Sequence, residues 1–205
     1  MSSKVLFLGF ADLAVDLVKY KTDGVSVWTM NDYYNYFPSL MPDMIFQIHQ
    51  APMVAHAIRE GRYPGDYKQV YASSGADIVT RFPHCLENEL DVHQDILNDV
   101  FGQRFFVGTF SFMFAWAIQM HVKEIVVEGI HLKAHTEYAT QLPGMLRNIY
   151  KARQKGISVS VPGDWEDKWR SLQPTIREDW KGVYGDYLPD SCTCESCIDF
   201  RSKFR

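Results

Sequence analysis

Several short stretches hold side chains able to grip a phosphate, stack on a base or move a proton. In residues 129–138, Gly-Ile-His-Leu-Lys-Ala-His-Thr-Glu-Tyr, two histidines and a glutamate fall within seven residues. Imidazole titrates near neutrality, so His131 can act as general base or acid, with Glu137 orienting it and His135 or Tyr138 facing a substrate. The bland alternative is a solvated loop. His49, closing Phe46-Gln47-Ile48-His49, is a second base candidate, or a strand-end histidine bonded to a carbonyl.

Groups suited to a nucleotide occur nearby in type. Gly9 and Asp12 sit in the turn Gly9-Phe10-Ala11-Asp12, where a glycine permits a tight turn and close approach of a phosphate. A single glycine also fits an ordinary strand-to-helix turn, and Asp12 would repel a phosphate there. Asn31, in Trp28-Thr29-Met30-Asn31, offers both halves of its amide to a base or ribose, and Trp28 offers a stacking face. Equally, these can be a turn-forming Asn beside core aromatics. Gly108, Thr109 and Ser111 open an apolar segment as phosphate donors or as plain helix caps. Cys192, Cys194 and Cys197 are close enough to hold zinc, with Cys85 or a histidine as fourth ligand; free thiols are the alternative.

These groups need elements to position them. Residues 5–9 form a short continuous apolar run ending in Gly, as expected of a strand buried on both faces. Asp12 is placed to cap a helix carrying Leu13, Leu17 and Val18, closed by Asp23-Gly24, and residues 25–28 read as a second strand. Further strands are expected over 44–48, 123–129 and 157–161, with shorter and weaker ones over 69–71 and 77–79. Residues 83–98 read as a loop and then a surface helix. Residues 109–120 are apolar nearly all round, predicting a buried helix, and Leu142, Met145, Leu146 and Ile149 predict another over 141–155, stopped by Gly156. The β-α-β opening and the later alternation predict an α/β, Rossmann-like three-layer α/β/α domain over residues 1–162 with a mainly parallel sheet. An irregular extension, aromatic and Cys-containing, follows over 163–205.

Composition narrows the partners. The 205 residues are 46% hydrophobic and 22% charged, enough apolar chain for a real core. The aromatic share of 14% fits a ligand pocket or an aromatic core equally. A net charge of −4 and no Lys/Arg run longer than two argue against a broad face for duplex nucleic acid. With no apolar stretch of about 18 residues, no membrane span is expected. The opening residues lack a signal peptide's pattern, so a cytosolic, reducing setting is expected, and disulfides are not.

Taken in order, these segments resemble a Rossmann-like group. It includes bacteriophage proteins, domain-115-type proteins related to hydroxymethylpterin diphosphokinases and, more distantly, bacterial sialyltransferases with a CMP-sugar donor. The shared pattern is read here as Trp28-x-x-Asn31, Phe46-x-x-His49, the helix over 111–120, Glu128-Gly129-Ile130-His131, Glu137-Tyr138-x-x-Gln141-x-Pro143 and Ala152-Arg153-x-x-Gly156-Ile157. It spans residues 4 to about 162. Two positions depart from it: Asp12 stands in a turn without the group's extra glycines, and His131 stands where the group has Asp. The resemblance implies Gly9 and Asn31 as nucleotide contacts.

Three functions follow as expectations. The first is a nucleotide-dependent transferase, most like a glycosyltransferase. Its nucleotide-sugar would lie over Gly9, Asn31, Gly129 and residues 108–111, and His131 or His49 would deprotonate the acceptor. Tyr138 and Gln141 stand beside that acceptor site, no metal is needed, and in a virus of bacteria the acceptor would be a modified DNA base. The second is a diphosphokinase-like or nucleotide-hydrolysing enzyme holding Mg²⁺ through Asp12, Asp32 and Glu137. The third is a protein that sequesters a nucleotide without turnover. Association with further copies of the chain stays open in all three.

Overall fold

The computed structural model describes residues 2–11, 14–82, 84–86, 88–92, 108–130 and 142–162. Seven strands are present among them: β1 (Lys4–Leu8), β2 (Ser26–Met30), β3 (Met44–Gln47), β4 (Asp77–Thr80), β5 (Glu89–Asp91), β6 (Glu124–Glu128) and β7 (Ser158–Ser160). They form one sheet in the order β5-β4-β3-β2-β1-β6-β7, and every neighbouring pair is parallel. The order grows outward from β1 in one direction through β5, then returns to its other side for β6 and β7. The reversal therefore lies between β1 and β6.

Alternation along the strands separates two cores. Val5, Phe7, Trp28, Met44, Phe46 and Val79 face one layer, made by helices α4 (Thr109–Gln119) and α5 (Leu142–Gln154). Leu6, Leu8, Val27, Ile45 and Ile78 face the other, made by α2 (Ala51–Arg59), α3 (Tyr67–Ser74) and the 3₁₀ turn Tyr33–Asn35. Period-two side-chain direction in strands that are apolar on both faces produces this three-layer α/β/α arrangement. The edge strands β5 and β7 are three residues each and largely unburied, which limits the unpaired edge they present.

Four expectations about elements are corrected. Helix α1 (Leu17–Thr22) begins later than predicted: Asp16 caps it, its carboxylate accepting the Lys19 N–H at 3.0 Å. Val18, expected on the buried face, is 78% exposed. Residues 69–71 are not a strand but the middle of α3, where Tyr67, Tyr71 and Ser74 recur at helical spacing on the buried side and Gly75 ends the helix at φ 67°. The stretch read as a loop contains β5, which pairs with β4 through Ile78–Glu89 to Thr80–Asp91. Helix α2 went unread; only Val54 and Ala57 of its nine residues are buried, so its apolar signal is thin. No helix among the described residues is long and apolar enough to cross a membrane.

Candidate functional site

Because all strands run one way, the residues just beyond their carboxyl ends share one rim of the sheet: Gly9 after β1, Asn31 after β2, His49 after β3, Arg81 after β4 and Gly129 after β6. Helix α4 starts on the same rim, since its C-terminal end leads back to the start of β6 and Phe112 lies 5.8 Å from the Arg81 guanidinium carbon. Gly108 and Thr109 are half-buried there. In parallel α/β sheets ligands sit outside this rim, beside the reversal point.

At the reversal, the Gly9 N–H donates to the Glu128 carbonyl at 2.8 Å and the Ala11 N–H to the Gly129 carbonyl at 2.7 Å. A side chain on Gly9 would fall 2.6 Å from Ile130 Cγ1 and 2.9 Å from the Gly129 carbonyl carbon. The space that glycine leaves is thus taken by the β6 loop, which fits the tight strand-to-helix turn of the two readings given for Gly9. Gly129 itself adopts φ 67°, the left-handed region where Cβ is costly.

Toward β4 the rim becomes a polar network. Gln47, fully buried at the end of β3, accepts hydrogen bonds on Oε1 from the His49 N–H and the His49 ring Nδ1, both at 3.1 Å. Its Nε2 donates to the Tyr71 hydroxyl at 3.3 Å, and Tyr71 donates to the Asn31 carbonyl. His84 Nε2 meets the His49 carbonyl at 2.7 Å, and its Nδ1 lies 3.3 Å from the Tyr67 hydroxyl. The turn carrying His84 has left-handed residues at Cys85 and Asn88 and is held by Glu89. The Glu89 carboxylate accepts from the His84 N–H, the Leu86 N–H and the Thr80 hydroxyl at 2.7–2.9 Å. Burial opposes ionisation of Glu89, but these bonds outweigh it and lower its pKa.

Burial lowers the His49 pKa, helped by the nearby His84 and Arg62, so the ring is neutral at pH 7. Its Nε2 makes no hydrogen bond among the described residues. Burial raises the pKa of Asp32, against an opposing bond from its own backbone N–H. Tyr34 and Tyr63, whose rings lie 6.2 Å apart, have buried hydroxyls: burial raises both pKa values, helped at Tyr34 by Tyr63 and Asp32 and, at Tyr63, opposed by Gln47 and helped by Asp32.

Replacing Tyr71 with Phe would strand the Gln47 Nε2 and the Asn31 carbonyl in a fully buried position. An unmet buried polar group costs about 1–3 kcal/mol, so Tyr71→Phe is expected to lower stability by about 2 kcal/mol. The urea midpoint at unchanged slope reads this out, and a shift below a few tenths of a kcal/mol would mean that the network is not formed.

Two nucleotide candidates turn out to serve the core. Trp28 is 2% exposed; its ring stacks on Phe7 at 5.7 Å and its Nε1 donates to Ser26 Oγ at 3.0 Å, so no stacking face is left for a base. Ser111 is 1% exposed and its hydroxyl accepts the Asn148 amide at 2.8 Å, tying α4 to α5, so it does not face a phosphate. Asn31, Gly9, Gly129, His49, Gly108 and Thr109 do share the rim. Asp12, His131, His135, Glu137, Tyr138, Gln141, Cys192, Cys194 and Cys197 lie outside the described residues; Cys85 is an exposed free thiol. Sequence reading missed Gln47, Tyr71 and His84. The one available signal was a glutamine inside an apolar strand, which must find partners.

A groove of about 360 Å³ lies at the opposite, amino-terminal rim, lined in part by Ser2, Lys21, Ser26, Asp43 and Asp77. One of its two carboxylates is already engaged: Asp43 takes the Lys21 ammonium at 2.8 Å and the Val27 N–H at 2.6 Å. The carboxyl rim is therefore the better candidate. No family model, curated protein or solved structure matches this chain.

Proposed function

We propose that the chain is a nucleotide-dependent transferase, most like a glycosyltransferase, in which His49 removes the proton of the acceptor hydroxyl. The observation that carries this reading is His49 itself. It is a half-buried imidazole, neutral at pH 7, held through Nδ1, with no partner for Nε2 among the described residues, one strand away from Asn31 on the rim where parallel sheets take ligands.

The nucleotide would lie across the reversal between β1 and β6, with Asn31 toward its base or ribose. Its phosphates would meet the start of α4 at Gly108 and Thr109, where the helix dipole favours negative charge. Catalysis would rest on holding donor and acceptor together, on proton removal by His49, and on helix-end N–H groups stabilising the leaving phosphate. A modified DNA base is one acceptor chemistry that this arrangement allows.

A second reading, binding without turnover, is favoured by the filled space at Gly9. The β6 loop stands where a phosphate would approach most closely in a glycine-rich turn.

A thermal-shift series against nucleotides and nucleotide-sugars, with and without Mg²⁺, tests both. A ligand at 100 times its Kd stabilises by about 2.7 kcal/mol, a readily seen shift. Nucleotide-sugar binding with release of free nucleotide supports the transferase, and binding with no release supports sequestration. Binding that requires Mg²⁺ moves the protein toward phosphoryl chemistry, and no shift with any ligand refutes the nucleotide site.

A further inference from the structure

The geometry points to Gln47 and Tyr71 as positioning residues that decide which ring nitrogen of His49 carries the proton, leaving Nε2 as the basic atom. This rests on the reading of His49 as the base, while the hydrogen-bond polarity of the relay stands without it.

The relay has two ends of fixed polarity. At one end a backbone carbonyl, that of Asn31, can only accept, so the Tyr71 hydroxyl bonded to it must donate. Having spent its single proton, Tyr71 can only accept from Gln47, whose nearer atom must be the amide nitrogen, 3.3 Å away. At the other end the His49 backbone N–H can only donate, so the Gln47 atom 3.1 Å from it must be the carbonyl oxygen. The two ends demand the same amide orientation independently. A flipped Gln47 would set an NH₂ against the His49 N–H and two acceptors against one tyrosine proton. Both errors would be buried, since Gln47 and Tyr71 are fully enclosed.

With Oε1 facing His49, the Nδ1 atom 3.1 Å from it must carry a proton. A neutral imidazole holds one proton, so Nε2 is left with its lone pair. The neighbouring His84 is engaged at both ring nitrogens: its Nε2 lies 2.7 Å from the His49 carbonyl and must donate, and its Nδ1 lies 3.3 Å from the Tyr67 hydroxyl. Both of its nitrogens are consumed, so His84 holds the segment while His49 retains a reactive atom. Among the described residues, Arg62 and His84 are the charged or titratable groups that act on the His49 ring, and both favour its neutral form.

The test is two-bond ¹H–¹⁵N correlation of the histidine rings in the full ¹⁵N-labelled chain. His49 is assigned among the seven histidines by the signal missing from His49→Gln. Above its titration, His49 is expected to show a protonated Nδ1 and a pyridine-type Nε2. A proton found on Nε2 overturns the relay. In Gln47→Leu the ring should relax to a mixture, its two nitrogen shifts moving toward each other; an unchanged pattern overturns the role of Gln47. Should that variant fail to fold, Gln47→Glu keeps the shape and sets a carboxylate against Nδ1. Its His49 should then titrate at higher pH than in the parent, and an unmoved titration overturns the proposal. The two claims fail separately. A relay seen as drawn in a protein whose His49→Ala form is fully active removes only the catalytic reading. An Nε2–H tautomer in a protein that loses activity on His49→Ala removes only the relay.

Discussion

Gly9→Ala is expected to lower stability by about 3 kcal/mol or more, a large share of the total. The added methyl would be placed against the carbonyl of Gly129, 2.9 Å from its carbon and 2.6 Å from Ile130 Cγ1. The first obstacle is backbone, which has no rotamer to change. It is also tied in place, because the Glu128 and Gly129 carbonyls accept the Gly9 and Ala11 N–H groups. Relief therefore requires the loops after β1 and β6 to part, which breaks both bonds and disturbs the Leu8–Glu128 end of the central ladder. Overpacking of a rigid site costs about 1–3 kcal/mol and more where the backbone must move, against a total stability of about 5–15 kcal/mol. Gly65→Ala is the control: an added methyl there meets nothing within 4 Å, and the change should be neutral or stabilise by up to about 1 kcal/mol. Denaturant midpoints of the two variants give the comparison, and a Gly9→Ala protein as stable as Gly65→Ala would show that the loops do not meet as described.

That close approach was only half legible in the sequence. A Gly ending an apolar run marks a tight passage, but the run cannot say whether a phosphate or a neighbouring loop fills the space. The contact is made by residues about 120 positions away, and that distance is not a local property. The strands themselves were legible because a strand buried on both faces must be apolar throughout, as in Leu6, Phe7 and Leu8. Helices that bury only a few residues were not: α2 hides just Val54 and Ala57, and α3 hides tyrosines whose spacing is masked by a short β-like run over 69–71. At the rim, Asn31 and His49 could be found because each closes a strand. Trp28 was a candidate for the wrong reason. Strand alternation puts it on the face of Phe7 and Phe46, among core rings, and not on the rim. The partners that define His49 come from elsewhere in the chain: Tyr71 lies 24 residues from Gln47, and His84 lies 35 residues from His49. Only the folded sheet brings them together.

His49→Ala should cut release of nucleotide from a bound nucleotide-sugar by about 10²–10⁴-fold, the usual contribution of a positioned base, while leaving donor affinity nearly unchanged. The split follows from placement. His49 stands after β3, whereas the donor would lie over the β1–β6 reversal and the start of α4, so the imidazole would touch the acceptor and not the nucleotide. The pH profile should carry the same signature. Since the folded pKa of His49 is depressed, the ring loses its proton below the ordinary value of 6.5, and the rate should hold through pH 6.5 before falling on the acid side. Stability should follow in the same direction. The unfolded chain takes up the proton more readily than the folded one, so the stability tied to His49 is complete above 6.5. It is lost as pH falls from 6.5 through the lower folded value. In His49→Ala both the acid limb of the rate and this part of the stability curve should flatten together. Were the rate limb to persist in the variant while the stability limb vanished, the base would have to be another group, and His49 would be left with only a structural place beside Gln47.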